Sequence, residues 1–264
     1  SDSVTLGPGY TNQVFYKLSN GTKTTATNQD WDLQFFSSLF SASIRINNGV
    51  GVELYSPASQ DTSNFTSSTL DTAAMTIMRD GYVTWETDAI TSQQTGHPDY
   101  GWGKYKGLGN IVGYRVFVIK LSGGAYKKIW IREFKTSGEV IFSVADLNGG
   151  NLFNKTFNRN TYSTKRHFYF DIENDSILDV EPTKTDWELV FRTYNDVAGP
   201  QYYNVTGALS NQGLAIAQVN NTAITTAQAN WNLHTYDSSI NVIGYDWKNF
   251  NRVTNTWDIT DSLS

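Results

Sequence analysis

A Trp-acidic-Leu phrase that occurs twice constrains the fold of this chain more than any other feature. The first copy covers residues 31–35 (Trp-Asp-Leu-Gln-Phe) and the second covers residues 187–191 (Trp-Glu-Leu-Val-Phe). In both, large apolar residues alternate with acidic or variable ones, which is the period of a β-strand with one face on a core. We therefore expect the two segments to pair or to stack within one β-domain.

Looser versions of the same phrase begin at Trp231 and Trp257. Their irregular spacing excludes a solenoid or propeller repeat. Acidic residues beside an indole also suit an active site, but repetition at several strand starts favours a structural role. We interpret the indoles as core anchors and expect their acidic neighbours to face solvent.

Strand-forming segments cover much of the remaining sequence. Residues 114–121, 127–134 and 140–144 are rich in β-branched and aromatic residues and are separated by Gly-containing turns, which predicts a three-stranded antiparallel meander. Residues 69–78 and 225–233 are each expected to form a short helix. The pattern predicts an all-β, antiparallel β-sheet sandwich with one or two short helices. No linker-like tract divides residues 1–264, so we expect a single domain.

Composition excludes several classes of function. The chain of 264 residues has no cysteine, which excludes thiol nucleophiles, iron–sulfur clusters and Cys-ligated zinc. A net charge of −5 without a basic stripe disfavours nucleic-acid binding. Thr, Ser and Asn replace charged residues, as is common on extracellular β-proteins. No apolar run is long enough to span a bilayer, and no signal peptide begins the chain, so an exported protein would be present here in its mature form.

Motifs for catalysis are absent from the sequence. Neither Gly-x-Ser-x-Gly, His-Glu-x-x-His nor a phosphate-binding loop occurs. Two carboxylates across a cleft would suit a glycosidase, but with 25 acidic residues some such pair is always conceivable. We expect a protein that is not an enzyme.

One loop carries the strongest candidate ligand. His97 is followed by Pro98, and Tyr100 and Trp102 lie close by in the sequence. An imidazole beside aromatic rings suits a flat macrocycle such as haem. The alternative is an ordinary polar loop whose aromatic residues fold into the core.

The two methionines and a second histidine are weaker candidates. Met75 and Met78 have the i, i+3 spacing that would place them on one face of a short helix. Core packing is the usual meaning of that spacing, although a thioether also ligates haem iron. His167 lies in a predicted strand among aromatic residues and is expected to be packed or at the surface, without a role as a ligand.

Ordered phrases through most of the chain resemble the HmuY-like family of secreted Bacteroidetes proteins, in particular its longer flavobacterial members exported by the type IX secretion system. The matching phrases are LGPGY (6–10), VFYKLSNG (14–21), WDLQF (31–35), YGWG (100–103), YKKIWI (126–131), EP (181–182), WELVF (187–191), VTGAL (205–209) and IGYDWK (243–248).

The resemblance implies an all-β fold and a location outside the cell or on its surface. It also implies haem capture, with two axial His or Met side chains, and delivery of the haem to a TonB-dependent outer-membrane receptor. His97 is then the candidate metal ligand, and Met75, Met78, Tyr100 and Trp102 are the further candidate haem-binding residues. We expect a monomer without the C-terminal sorting domain of type IX cargo. The alternative is a structural or adhesive surface protein that binds a protein partner or a glycan without a cofactor.

Overall fold

The computed structural model describes residues 2–58, 61–66, 74–198, 201–219, 222–245, 248–251, 253–254 and 256–259. The described chain is dominated by antiparallel strands, as predicted. One α-helix, α1 (Ile224–Ala229), is followed by a 3-10 turn at Trp231–Leu233. These two elements confirm the short helix predicted over residues 225–233.

In the described ranges, three antiparallel sheets, which we call the outer, middle and large sheets, form the body of the fold, and a two-stranded hairpin forms a separate small sheet. The outer sheet has the order β16 (Gln201–Ser210), β15 (Leu189–Ala198), β1 (Asn12–Lys17), β2 (Thr22–Thr27). The middle sheet has the order β14 (Ser176–Leu178), β13 (His167–Asp171), β3 (Leu33–Phe36), β4 (Ile44–Ile46). The large sheet has the order β12 (Phe153–Asn158), β11 (Glu139–Asp146), β10 (Tyr126–Phe134), β9 (Phe117–Lys120), β5 (Glu53–Ser56), β6 (Thr76–Met78), with β7 (Gly103–Tyr105) and β8 (Ile111–Gly113) beside β10. The hairpin is β17 (Lys248–Asn251) and β18 (Thr256–Ile259).

The predicted meander is confirmed within the large sheet. Strands β9, β10 and β11 are consecutive and antiparallel, and β12 continues the series. The first strand is shorter than predicted, because residues 114–116 lie outside it.

The middle sheet lies between the other two. Every residue of β3 and of β13 is buried. On one face, Phe35 and Phe170 contact Phe142 of the large sheet, with ring centroids 5.7 and 5.0 Å apart. On the other face, the Nη1 of Arg192 in β15 donates a hydrogen bond of 3.5 Å to Oε1 of Gln34 in β3. The two Trp-acidic-Leu strands therefore stack in adjacent sheets and do not pair.

Each copy of the repeated phrase makes the same set of contacts. In the first copy, the backbone N–H of Asp32 donates to the carbonyl of Phe170, and the carboxylate of Asp32 accepts the N–H of Ile172, two residues further on. The side-chain amide of Asn47, which follows the next strand, donates to the carbonyl of Trp31 at 2.9 Å. The acidic residue thus ties the indole turn to the neighbouring strand.

The second copy reproduces this arrangement in the outer sheet. The N–H of Glu188 donates to the carbonyl of Tyr16, and its carboxylate accepts the N–H of Leu18 at 2.7 Å. The amide of Asn211, which follows β16, donates to the carbonyl of Trp187 at 2.9 Å. The duplicated phrase in the sequence is therefore a duplicated three-strand unit, whose two copies pack face to face.

Two expectations about the phrase are wrong. Asp32 is 6% exposed and does not face solvent, and burial raises its pKa to about 6. Trp231 is 65% exposed and opens a 3-10 turn, so it is not a core anchor. The side chain of Trp257 lies outside the described residues, whereas Trp31 and Trp187, each 1% exposed, anchor the core as predicted.

Candidate functional site

The loop before β7 presents His97 to solvent on a fixed support. Its exposed ring lies 5.1 Å from the ring of Tyr105 and 6.3 Å from that of half-buried Tyr100, measured between centroids. The buried carboxylate of Asp99 accepts the N–H of Gly101 and the hydroxyl of Tyr114, both at 2.9 Å. Because Asp99 holds the loop from within, the imidazole is directed outward without a hydrogen bond to any described residue.

Trp102 lies beneath this loop, inside the principal core. The indole is 0% exposed and its Nε1–H donates to the carbonyl of Ala42 at 2.9 Å. The ring packs against Phe134, 4.7 Å between centroids. In this conformation Trp102 supports the loop from below, and its role as a ligand contact stays a prediction.

The methionines lie in a different part of the fold. Met78 ends strand β6, pairs with Leu54 of β5 and is 4% exposed. Met75 precedes that strand and is half-buried. The shared helical face predicted for the pair is therefore wrong, since residues 76–78 are extended; residues 69–73 of that prediction lie outside the described residues. No described contact links either methionine to His97.

The donor set restricts the kind of cofactor that the described residues accommodate. Within the described ranges, no group of three or more His, Asp or Glu side chains is arranged to hold a metal ion. Haem needs fewer protein ligands, because its porphyrin supplies four nitrogens and the protein supplies axial ones. The exposed imidazole of His97 fits an axial role, and Tyr100 and Tyr105 stand beside it as possible contacts for the macrocycle.

A buried ionisable pair that sequence reasoning missed lies between the middle and outer sheets. Nδ1 of His167 is 2.7 Å from Oε2 of Glu181, and the hydroxyl of Tyr169 donates to the same oxygen at 3.3 Å. Both members of the pair are about 1% exposed. Burial lowers the pKa of His167, which favours a neutral ring that donates from Nδ1. His167 is packed, as expected.

Two buried arginines alternate with aromatic rings in the same layer. The guanidinium of Arg192 lies 5.3 Å from the ring of Trp31 and 5.7 Å from that of Trp85. Arg45 continues the series, 5.5 Å from Trp85 and 4.8 Å from Tyr82. Cation–π contacts of this kind offset part of the cost of burying charge. All five side chains are buried, so this layer holds the sheets together and offers no surface to a ligand.

The sequence feature that corresponds to this buried layer is an alternation of apolar and polar residues. Ile44-Arg45-Ile46 and residues 167–171 alternate apolar with polar or hydroxylated side chains, a pattern that usually means one face in solvent. Here the polar face is covered from two sides: Arg45 donates to the carbonyls of Gly81 and Trp85 in a loop, and Arg192 of the outer sheet contacts Gln34. No local pattern reveals this cover.

Comparisons with protein-family models, with curated proteins and with solved structures give no match. In the part of the chain that the structure describes, no helix is long and apolar enough to cross a membrane.

Proposed function

We propose that this chain is a secreted or surface-exposed, non-enzymatic binding protein of the haem-carrier type, which passes its ligand to a TonB-dependent or other outer-membrane protein. The observation that carries the proposal is the exposed imidazole of His97 beside the rings of Tyr100 and Tyr105 on a loop braced by Asp99. Imidazole nitrogens are common axial ligands of haem iron, and aromatic rings contact its flat faces.

Hemin titration tests this proposal. The wild-type protein should shift the Soret band to that of a ligated haem, and His97→Ala should weaken binding at least about tenfold, the loss expected from one good metal-ligand or charge-assisted contact. His234→Ala is the matched control, because His234 is half-buried and its Nε2 already lies 3.2 Å from the carbonyl of Ala227. A flat titration, or equal binding by the His97 and His234 variants, would contradict the proposal.

The same titration identifies a second axial ligand. Met75→Leu and Met78→Leu preserve volume but remove the thioether, so either ligand role predicts a changed spectrum of the bound haem without loss of the fold. Unchanged spectra in both variants would exclude the two methionines as axial ligands of haem. His97 would then remain as the candidate axial ligand among the described residues.

A second candidate function is a structural or adhesive surface protein that binds a partner protein or a glycan without a cofactor. The observation in its favour is the tip of the β15–β16 hairpin, where Val197, Tyr202 and Tyr203 are 48%, 44% and 46% exposed. Exposed tyrosines are typical of recognition surfaces. This candidate predicts no Soret shift and co-purification with an outer-membrane protein or retention on a glycan resin.

A further inference from the structure

A narrow cleft separates the β15–β16 hairpin from β6, the edge strand of the large sheet. Tyr202 and Asn195 of the hairpin form one wall, and Arg79 and Glu53 form the other. The rest of the lining is mixed and includes Met78 and Asp80; the carboxylate of buried Asp80 is paired with Arg45 at 3.9 Å. The enclosed part has room for about one water molecule, so a ligand would sit at the mouth and insert only a small polar group.

The guanidinium of Arg79 is held in place at the opening of the cleft and has N–H donors available for an anion. Its guanidinium stacks on the ring of Tyr202, 4.2 Å from the centroid. It makes no ion pair or hydrogen bond to any described residue, and it is only half-buried. A planar guanidinium held by a ring keeps its N–H donors available, and carboxylate is the group that matches two of them at once.

The carboxylate of Glu53, which lies near Arg79, makes its hydrogen bond and its ion pair with other residues. Oε2 of Glu53 accepts the hydroxyl of Tyr55 at 2.5 Å and pairs with Nζ of Lys120 at 3.0 Å. Tyr55 and Lys120 are therefore the contact partners of Glu53. Arg79 acts on that carboxylate only through space, and its own N–H donors make no ion pair or hydrogen bond to a described residue.

An unpaired acceptor lies on the hairpin wall. Oδ1 of Asn195 is buried and has no hydrogen-bond partner in the described part of the chain, although the backbone N–H of the same residue donates to Oδ1 of Asn48 at 3.0 Å. A buried amide oxygen without a donor costs free energy. A ligand hydroxyl or N–H inserted here would satisfy it.

We propose that this cleft binds a hexuronate residue of an acidic glycan. The sugar carboxylate would pair with Arg79, a hydroxyl on the same ring would donate to Asn195, and the exposed ring of Tyr202 would contact its C–H groups. A single pyranose carries a carboxylate and hydroxyls within one small rigid unit, which is what a narrow mouth with one free cation and one free acceptor requires. The proposal rests on the second candidate function and names its ligand and site.

Calorimetric titration with trigalacturonate tests it. Wild type should bind, and Arg79→Ala should lower the affinity about tenfold to a hundredfold. Arg79→Lys should lose most of that affinity too, because an ammonium cannot make two parallel hydrogen bonds. The methyl-esterified trisaccharide, which keeps the hydroxyls but lacks the charge, should bind wild type as weakly as the Ala variant binds the free acid.

Arg132→Ala is the matched control. Arg132 is exposed and also lies over an aromatic ring, that of Trp130 at 4.8 Å, but on β10 of the large sheet and outside the cleft. It should keep wild-type affinity. Equal losses in the two Ala variants, equal binding of the ester, or no binding of trigalacturonate would overturn the proposal. If trigalacturonate does not bind while wild type and Arg79→Ala are both retained on a neutral glycan resin, this site is overturned and the second candidate function stands. Hemin binding is measured separately in every variant.

Discussion

At the residue scale, the carboxyl of Asp88 shows how burial alters chemistry in this protein. Burial, with a smaller contribution from the neighbouring charge of Asp80, raises the pKa of Asp88 to about 7. Its oxygens accept the N–H and the hydroxyl of Thr91, each at 2.9 Å. A group that is 2% exposed and keeps its proton near neutrality makes the folded state sensitive to pH.

The sign of that sensitivity follows from the two pKa values. Between pH 3.8, the ordinary pKa of an Asp carboxyl, and about pH 7, the folded state holds a proton on Asp88 that the unfolded state has lost. This residue's contribution to stability is complete below that window and is lost as pH rises through it, by up to about 1.4 kcal/mol per pH unit.

Asp88→Asn should remove this contribution. The free energy of unfolding of the variant relative to wild type should rise from pH 4 to pH 7 and then level off, as measured by urea denaturation at each pH. The exposed Asp30 supplies a control: Asp30→Asn should give a curve parallel to that of wild type. A constant offset between Asp88→Asn and wild type across the window would show that Asp88 is ionised in the fold.

At the element scale, the repeated three-strand unit is the feature that the sequence predicted best and explained least. The alternation of Trp, Leu and Phe located both strands and the buried indoles. It could not show that Asp32 braces the neighbouring strand, because that strand, β13, lies far away in the sequence. The roles of Asn47 and Asn211 could not be predicted for the same reason. The neighbouring sequence does not distinguish an asparagine that donates hydrogen bonds to a distant turn from one that faces solvent.

The side-chain amides of Asn47 and Asn211 should make similar contributions to the free energy of unfolding. Asn47 donates to the carbonyls of Asn28 and Trp31, and Asn211 donates to those of Lys184 and Trp187. Truncation leaves such carbonyls without their donors, so Asn47→Ala and Asn211→Ala should each lower the free energy of unfolding by about 1–3 kcal/mol.

Asn230 tests whether burial or merely a lost amide causes that effect. It is exposed and its side chain donates to the carbonyl of Thr226 at 3.0 Å, so Asn230→Ala should change the free energy of unfolding by no more than about 0.5 kcal/mol. If either Asn47→Ala or Asn211→Ala changed the free energy of unfolding as little as Asn230→Ala does, while the other variant was destabilised, the two three-strand units would not be equivalent.

At the scale of the whole molecule, three stacked layers replace the two that alternation alone suggests. Gln34, Arg45 and His167 look like solvent-facing residues in their strands, but all three are buried. Arg192 of the outer sheet contacts Gln34, and the loop that contains Trp85 contacts Arg45 and His167. Local periodicity reports whether a face is apolar, and it cannot report a buried layer built from charge and aromatic rings. The candidate site divides in the same way: the sequence located the loop of His97, but only the fold shows that Trp102 points inward and that Met78 belongs to another edge.

We propose that ligands bind to loops and clefts around the three-layer body. Hydrogen exchange of the backbone amides, measured with and without hemin, tests this most directly. Hemin should slow exchange in residues 96–105 around His97 and leave β3 and β13 unchanged, because the core is already closed. Unchanged exchange at residues 96–105, or slowing confined to β6 and the β15–β16 hairpin, would contradict the assignment of the His97 loop as the haem site.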